Sequence, residues 1–454
     1  MEFIGRDDEL RILEEQFSQD HAFVILKGRR RVGKSRLLEE FLKGKDHLYF
    51  EVDHETPTSI LASLSREVSG PTGVSVTFGS WTDALRYHAS RCEGKTIIAI
   101  DEFPYAVSAD RNLLKEFQTL WDRYLSRMNV MLILCGSSLV SMNGLTEDSK
   151  SPLYGRNTCD LTLLPLTFRR SIIDTDYRTA VERYAVTGGV PHYMSLLGDR
   201  DPVEGAVALT MTPGAPLLNE GEYLLGSEFS NLSSYNTYLK TIANGNRTMD
   251  RITGVVQSQS SEVLPYLRRL MDTGMVRRTV PVTEKNPEKS RNGQYLISDH
   301  FLALWFRFVY PYRGTISRRD NETAVRNLRD HFTDAHAAFV FEDVCREELR
   351  RYLLSRDVCA EYGKHWGNEE IDLIALDRRN GEAYVAECKF ISKPVGVSTL
   401  NSLKDKVSKV RELRDLKVTY CLFSVSGFND GMESRCAENV LLFNNGEVVN
   451  RRYP

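Results

Sequence analysis

Eight residues constrain this chain more than any others. Gly28 to Ser35 read Gly-Arg-Arg-Arg-Val-Gly-Lys-Ser, which fits the phosphate-binding pattern G-x-x-x-x-G-K-[ST] at every fixed position. The flanks agree with it. His21 to Lys27 is a short apolar run that predicts a buried strand, and Arg36 to Leu42 has the period of an amphipathic helix. Strand, glycine loop and helix are the parts of a nucleotide site. Gly28, Arg29, Arg30, Arg31, Val32 and Gly33 form the loop whose N–H groups curl around phosphates, and Lys34, Ser35 and Arg36 open the helix. The helix N-terminus adds partial positive charge. Lys34 is placed to reach the β- and γ-phosphates and the Ser35 hydroxyl to ligate Mg²⁺, so ATP and Mg²⁺ are the expected cofactors.

The second half of such a site lies downstream. Lys95 to Asp101 is an apolar strand ending in an acid, followed at once by Glu102. A parallel strand buried on both faces reads as a continuous apolar run. Asp101 is placed to hold Mg²⁺ through water, and Glu102 to polarise the attacking water. Having both acids favours hydrolysis over binding alone. A third strand, Val130 to Cys135, runs into Gly136, Ser137 and Ser138. Ligands sit beyond the carboxyl ends of parallel strands, so Ser137 is a candidate γ-phosphate contact. Turn or helix-cap chemistry explains the two serines equally well.

At 454 residues the chain is too long for one core, so two to four domains are expected. No apolar run approaches the length of a membrane span, and MEFIGRDDEL is not a signal peptide. The eight cysteines, at 92, 135, 159, 345, 359, 388, 421 and 436, show no zinc or disulfide spacing, which predicts reduced thiols in a cytoplasm. With a net charge of −3, any nucleic-acid footprint has to be local.

Residues 1 to 165 alternate strands and helices, as a P-loop core does, after a helix start around Phe3-Ile4-Gly5-Arg6. Residues 166 to 232 turn helical and suit a lid. From 233 to 310, helices precede a hairpin, the pattern of a winged helix: Glu262 to Asp272 is helical in period, a strand opens at Gly274, and Gln294 to Ile297 returns. Residues 235 to 300 hold ten Lys/Arg against six Asp/Glu, a net of +4. Such a patch is compatible with phosphate contacts, and equally with a solvated or protein-facing surface. A linker at 311 to 330 leads to the last domain, 331 to 454.

That domain carries a second possible chemistry. Asp372 lies in Ile371 to Leu376, and Glu387 and Lys389 lie in Glu382 to Phe390, joined through Asn380-Gly381. Asn-Gly is a strong hairpin signal. If residues 378 to 381 form the loop, Asp372 faces Glu387; if only Asn380-Gly381 does, Asp372 faces Lys389. Either register puts all three on one sheet face. Opposed carboxylates roughly 5 Å apart repel unless a cation sits between them, and a hard divalent ion is the usual answer. Lys389 could then steady a hydroxide or developing phosphorane charge. Glu342, on the helix 339 to 352, could add a ligand. The alternative is a surface hairpin with ordinary ion pairs. With the helix 399 to 413 and the strand 418 to 423, the order is αβββαβ.

The whole chain resembles the prokaryotic "archaeal ATPase" family, P-loop proteins of the AAA+/STAND type. The resemblance rests on FIGRDDEL, GRRRVGKS, IAIDEFPYA, LCGSSLVSM, SPLYGR and TGGVPHYM. The stretch from FVFEDVCREEL through EEIDLIALD and AYVAECKF to YCLFSVSGF is similar to the PD-(D/E)xK nuclease-like domain often fused to these ATPases. The expected fold class is therefore α/β: a P-loop NTPase with a parallel sheet, a helical lid, a winged helix and a C-terminal restriction-endonuclease-like domain. The resemblance implies a cytosolic ATPase and puts Arg156 in the position of an arginine finger, although a structural ion pair fits that residue as well. No glutamine clearly follows Lys389 on the next helix, a departure from some active members of the nuclease fold. Asp372, Glu387 and Lys389 are the expected cleavage residues, with DNA as partner, no membrane, a homo-oligomer left open and no protein partner named. A regulatory ATP switch whose last domain binds without cutting is the alternative.

Overall fold

The computed structural model describes residues 4–70, 76–432 and 439–450, so Phe3 and Cys436 lie outside the described residues. The chain forms two compact units. The first gathers residues up to 166 with two later segments, 190–195 and 223–230; the second holds 167–189, 196–222 and everything from 231 onward.

The first unit is built on five parallel strands, β1 (Ala22–Lys27), β2 (His47–Glu51), β3 (Thr96–Asp101), β4 (Val130–Gly136) and β5 (Cys159–Thr162), in the order β2-β3-β4-β1-β5. β1, β3 and β4 are buried along their whole length. Alternation divides their side chains between two cores. Phe23, Ile25, Ile98, Ile100, Leu132 and Leu134 enter one layer; Val24, Leu26, Ile97, Ala99, Met131 and Ile133 enter the other. Helices cover both faces, which is why these strands tolerate no polar alternation. β1, β3 and β4 all end at the same sheet edge, where the loops bearing Gly28, Glu102 and Ser137 emerge.

In the second unit the helices Ser233–Ala243, Met249–Val256 and Ser260–Asp272 precede a two-stranded antiparallel hairpin, β6 (Val276–Thr279) and β7 (Gln294–Ile297). A six-stranded mixed sheet follows: β8 (Glu361–His365), β9 (Ile371–Asp377), β10 (Glu382–Lys389), β11 (Lys417–Ser424), β12 (Val440–Asn444) and β13 (Glu447–Val448), ordered β13-β12-β11-β10-β9-β8. Asp377 pairs with Glu382, and Leu373 with Ala386. The four-residue loop 378–381 is thus the one that forms, with Gly381 at φ +66°, and Asp372 continues the register opposite Glu387. Ile374, Val385 and Leu422 pack beneath the helix Val397–Lys409 through Leu400, Leu403 and Val407. Side chains of the other parity meet the helix Ala338–Leu354, where Tyr352 lies 5.4 Å from the Phe443 ring. Asp372, Glu387 and Lys389 share the parity of the first face. No helix among the described residues is long and apolar enough to cross a membrane.

Candidate functional site

The phosphate loop begins where β1 ends. A Cβ at Gly28 would stand 2.5 Å from the Leu163 carbonyl oxygen, so the backbone there has no room for a side chain. Gly33 adopts φ +97°, in the region that glycine alone enters freely. Arg31 is also left-handed, at φ 72°, so the loop stores strain at its apex. Val32 is buried in the core and contributes backbone to the loop, with its carbonyl held by Arg6 at 3.0 Å. Lys34 opens the helix Lys34–Leu42. Its Nζ donates to the carbonyls of Gly28 (2.8 Å) and Arg29 (3.3 Å), spanning the concavity of the loop. Arg29 and Arg31 both lie over the Tyr193 ring, at 5.7 and 6.0 Å. Burial, then Arg31 and Arg30, hold the neighbouring His192 below its ordinary range. Arg36 turns outward to Glu39 at 2.9 Å on an exposed helix face, away from the expected phosphate contact.

Asp101 is buried and fully engaged. Its Oδ2 accepts from Ser35 Oγ (2.8 Å) and Tyr49 Oη (2.9 Å), and Oδ1 accepts from the Glu102 backbone N–H (2.9 Å). Hydroxyl and carboxylate therefore converge at the end of β3, the hard oxygen donors that Mg²⁺ prefers. Burial and the charge of Asp101 push the Tyr49 hydroxyl up. Glu51, aligned with Asp101 on the next strand, is raised by burial and by Asp101, Asp53 and Glu102. Glu102 itself sits at φ 52°, an unfavourable conformation that aims its carboxylate across to β4. Its Oε2 accepts from Ser137 Oγ (2.9 Å) and Ser137 N (3.2 Å).

The two serines after β4 separate in role. Ser137 holds Glu102, while Ser138 caps the helix Leu139–Thr146 by accepting from Ser141 N. Glu228 reinforces that cap, taking the Leu139 N–H (2.9 Å) and the Ser138 hydroxyl (3.1 Å). Arg156 forms a two-pronged pair with Asp122, both contacts 2.9 Å. Sequence reasoning missed Tyr49, Tyr193 and Glu228. Tyr49 and Glu51 alternate on one strand, but which strand neighbours β3 is not a local property.

At the terminal sheet the Asp372 carboxylate accepts from the Cys388 backbone N–H at 2.8 Å, where the β9–β10 ladder ends. Burial, then the facing Glu387, raise Asp372 above the usual carboxylate range. Burial alone would raise Glu387 too, but the ammonium groups of Lys389 (2.8 Å) and Lys406 (2.9 Å) hold it low. Lys406 lies on the helix Val397–Lys409 and was not anticipated; its place on that helix's sheet-facing side was readable from period 3.6. Glu342, expected beside the acid pair, instead projects from the helix on the other face and pairs with Lys364. Among the described residues no three His, Cys, Asp or Glu side chains stand close enough together to hold a metal ion.

Residues 3–197 match the model of an ATPase domain predominantly from Archaea. Residues 305–402 match a family described as "Archaea bacterial proteins of unknown function". An uncharacterized protein of Methanocaldococcus jannaschii is 29% identical over 400 residues, covering 86% of this chain and 87% of that one. An uncharacterized ATP-binding protein of the same organism is 46% identical over 44 residues, 10% of this chain and 75% of that one. A solved Walker-type ATPase of Pyrococcus abyssi superposes with a TM-score of 0.51 at 20% identity, over 67% of this chain and 96% of that one. The first part of the chain is thus similar to an ATPase domain predominantly from Archaea, and residues 305–402 to a family of unknown function.

Proposed function

We propose that the first unit binds Mg²⁺-ATP and hydrolyses it. The observation that carries this reading is the 2.8 Å bond between Ser35 Oγ and Asp101 Oδ2, which brings together the two groups a nucleotide-bound Mg²⁺ needs. Lys34, now bonded to the loop's own carbonyls, would exchange them for phosphate oxygens. Glu102 would orient the attacking water, and its bond to Ser137 links the base to a residue at the end of β4. Bound Mg²⁺ would neutralise charge developing on the phosphoryl oxygens. ATP turnover by the full chain, compared with Glu102→Gln, tests this; equal rates would reject the role of Glu102.

We further propose that turnover regulates a DNA-acting C-terminal domain, with the hairpin region 233–310 read as a winged helix. Asp372, Glu387 and Lys389 on one sheet face support a site for a divalent cation and a phosphodiester. Two carboxylates suffice for an ion that keeps several waters, but the cation has to displace ammonium groups from Glu387. That same pairing supports a second reading, in which the domain grips DNA or a partner without cutting. Plasmid incubated with Mg²⁺ or Mn²⁺, with and without ATP, separates the two: cleavage lost in Asp372→Ala supports the first, and salt-sensitive binding without cleavage supports the second.

A further inference from the structure

A cluster of cations surrounds one cavity in the second unit, and one of them, Lys364, is near enough to Asp372 to lower it. The cavity, about 90 Å³, lies between the helix Ser233–Ala243, the β6–β7 hairpin, β8 and the helical stretch 300–343. Arg247, Arg277, Arg307 and Lys364 all line it, against the single carboxylate of Asp343. Asp343 is spoken for: Arg277 holds it at 2.9 Å, and so does Arg346. Lys364 has Glu342. Arg307 has the Ala243 carbonyl at 3.0 Å and the Phe308 ring at 5.6 Å, and no carboxylate within ion-pair distance among the described residues. Arg247 lies 4.8 Å over the Phe339 ring and has no carboxylate within ion-pair distance among the described residues. His300 and His336 complete the wall, and burial drives both down to about 4, so they add no charge at neutral pH. Burial lowers Arg247, the charge of Glu370 raises it in part and Arg277 lowers it further; burial, then Arg247, lowers Arg307.

Such a cluster is costly on its own. Half-buried like charges repel and lose solvation, and Arg247 and Arg307 are offset only in part, by the charge of Glu370, by ring faces and by one carbonyl. Two lining segments, Trp305–Val309 and Thr333–Ala337, are also π-helical turns. Single π turns strain a helix and occur disproportionately at binding sites. One of them carries Arg307 and the other His336, so the irregular backbone sits at the cavity itself.

We infer that this cavity binds the phosphate monoester group of a small ligand or a nucleic-acid end. Guanidinium forks matched to a tetrahedral dianion, approaching from a turn, a hairpin and a helix, suit phosphate better than a carboxylate, which offers two oxygens in one plane. The volume is well under the roughly 300 Å³ at which a pocket takes a whole drug-sized ligand, so it takes an anionic head group with the remainder outside. The assignment is independent of the ATPase and nuclease readings.

Calorimetric titration of the full chain with inorganic phosphate, at matched ionic strength in chloride, tests it. Wild type and Lys34→Ala should both bind, and the double variant Arg247→Gln/Arg307→Gln should bind about tenfold more weakly or not at all, with Mg²⁺-ATP affinity unchanged. The double variant should melt no lower than wild type without phosphate, since it relieves repulsion. Should it fail to fold, Arg247→Lys decides, because it keeps the charge and loses the fork: weaker phosphate binding supports the site, and wild-type affinity overturns it. Binding abolished by Lys34→Ala, or retained in the double variant, would also overturn it. Competition by a 5′-phosphorylated but not a 5′-hydroxyl oligonucleotide assigns a nucleic-acid end, and competition by phenyl phosphate alone assigns a small phosphorylated metabolite.

Discussion

Asp101 and Glu102 are adjacent in sequence yet differ sharply in surroundings. Asp101 spends its oxygens on Ser35, Tyr49 and the Glu102 N–H, whereas Glu102 is held in a left-handed backbone by one serine. Lys34→Ala should therefore cripple ATP binding. Glu102→Gln should leave affinity within a few fold and lower kcat by about two orders of magnitude or more, the usual scale for a lost base. Tyr49→Phe is a subtler case: it frees one lone pair of Asp101 and should alter the Mg²⁺ dependence of turnover more than ATP affinity. A titration of rate against Mg²⁺ at saturating ATP reads this, and an unchanged curve would remove Tyr49 from the site. The loop and its acids were legible because their chemistry demands fixed residue types at fixed spacing. Tyr49, Tyr193 and Glu228 were not, because each reaches the site from a segment whose neighbours only the fold decides. His336 gives a pH prediction of the same scale. Its imidazole is buried, bonded to the Ala185 carbonyl at 2.8 Å, and held down to about 4. As pH falls below about 6.5 the unfolded chain takes up the proton and the folded chain does not, until about 4. Stability is thus lost over that window, at roughly 1.4 kcal/mol per pH unit at most for this one group. His336→Gln, which keeps the donor, should flatten that acid limb in a series of melting curves.

At the scale of elements the terminal hairpin was the most readable part of the second unit. Asn-Gly marked the turn, and alternation did the rest: with any even loop, Asp372, Glu387 and Lys389 had to share a face. Which loop forms was left open, and Asp377 settles it by accepting from the backbone N–H groups of Arg379 and Asn380, which closes the four-residue turn. The helix-to-sheet contacts were less legible. Lys406 reaches Glu387 because the helix Val397–Lys409 lies across that face. Removing one of the two competing ammonium groups should make Glu387 a better cation ligand, so Lys406→Ala should bind Mn²⁺ more tightly than wild type, and Asp372→Ala more weakly. Equal affinities in all three proteins would argue against a cation between the acids. The β6–β7 region divides similarly. Arg277, which charge counting grouped with the basic patch, is committed to Asp343. Its loss should cost stability, since it would leave Asp343 less compensated in a partly buried site. If the exposed Lys285, Lys289 and Arg291 contact DNA phosphates, their replacement should lower affinity for all sequences alike and reduce the salt slope by roughly one unit per contact.

For the whole molecule, the order of the chain and the order of its units do not coincide. The polypeptide passes between the two units at 166/167, 189/190, 195/196, 222/223 and 230/231. Composition and periodicity suggested a clean boundary near 165 followed by a helical lid, because helix-rich sequence after 166 reads as a new region. What that reading could not contain is that short pieces of the region belong to the first unit. The segment 190–195 brings Tyr193 beneath Arg29 and Arg31, and the segment 223–230 brings Glu228 to the start of the helix Leu139–Thr146. A fragment ending at 166 would lose both. Ser138 would still cap the helix, so losing Glu228 costs at most the roughly 0.5–2 kcal/mol of a whole cap, and each cation–π contact about 0.5–1 kcal/mol. Together that is at most about 4 kcal/mol, against the roughly 5–15 kcal/mol that holds a typical domain folded. The strained apex at Arg31 would lose its support at the same time. Residues 1–166 alone should therefore melt well below residues 1–232 and bind ATP poorly, although they contain every residue of the nucleotide motifs. If 1–166 bound ATP as tightly as the full chain and melted at the same temperature, the returning segments would be passengers, and the nucleotide site would be complete in the first third of the sequence.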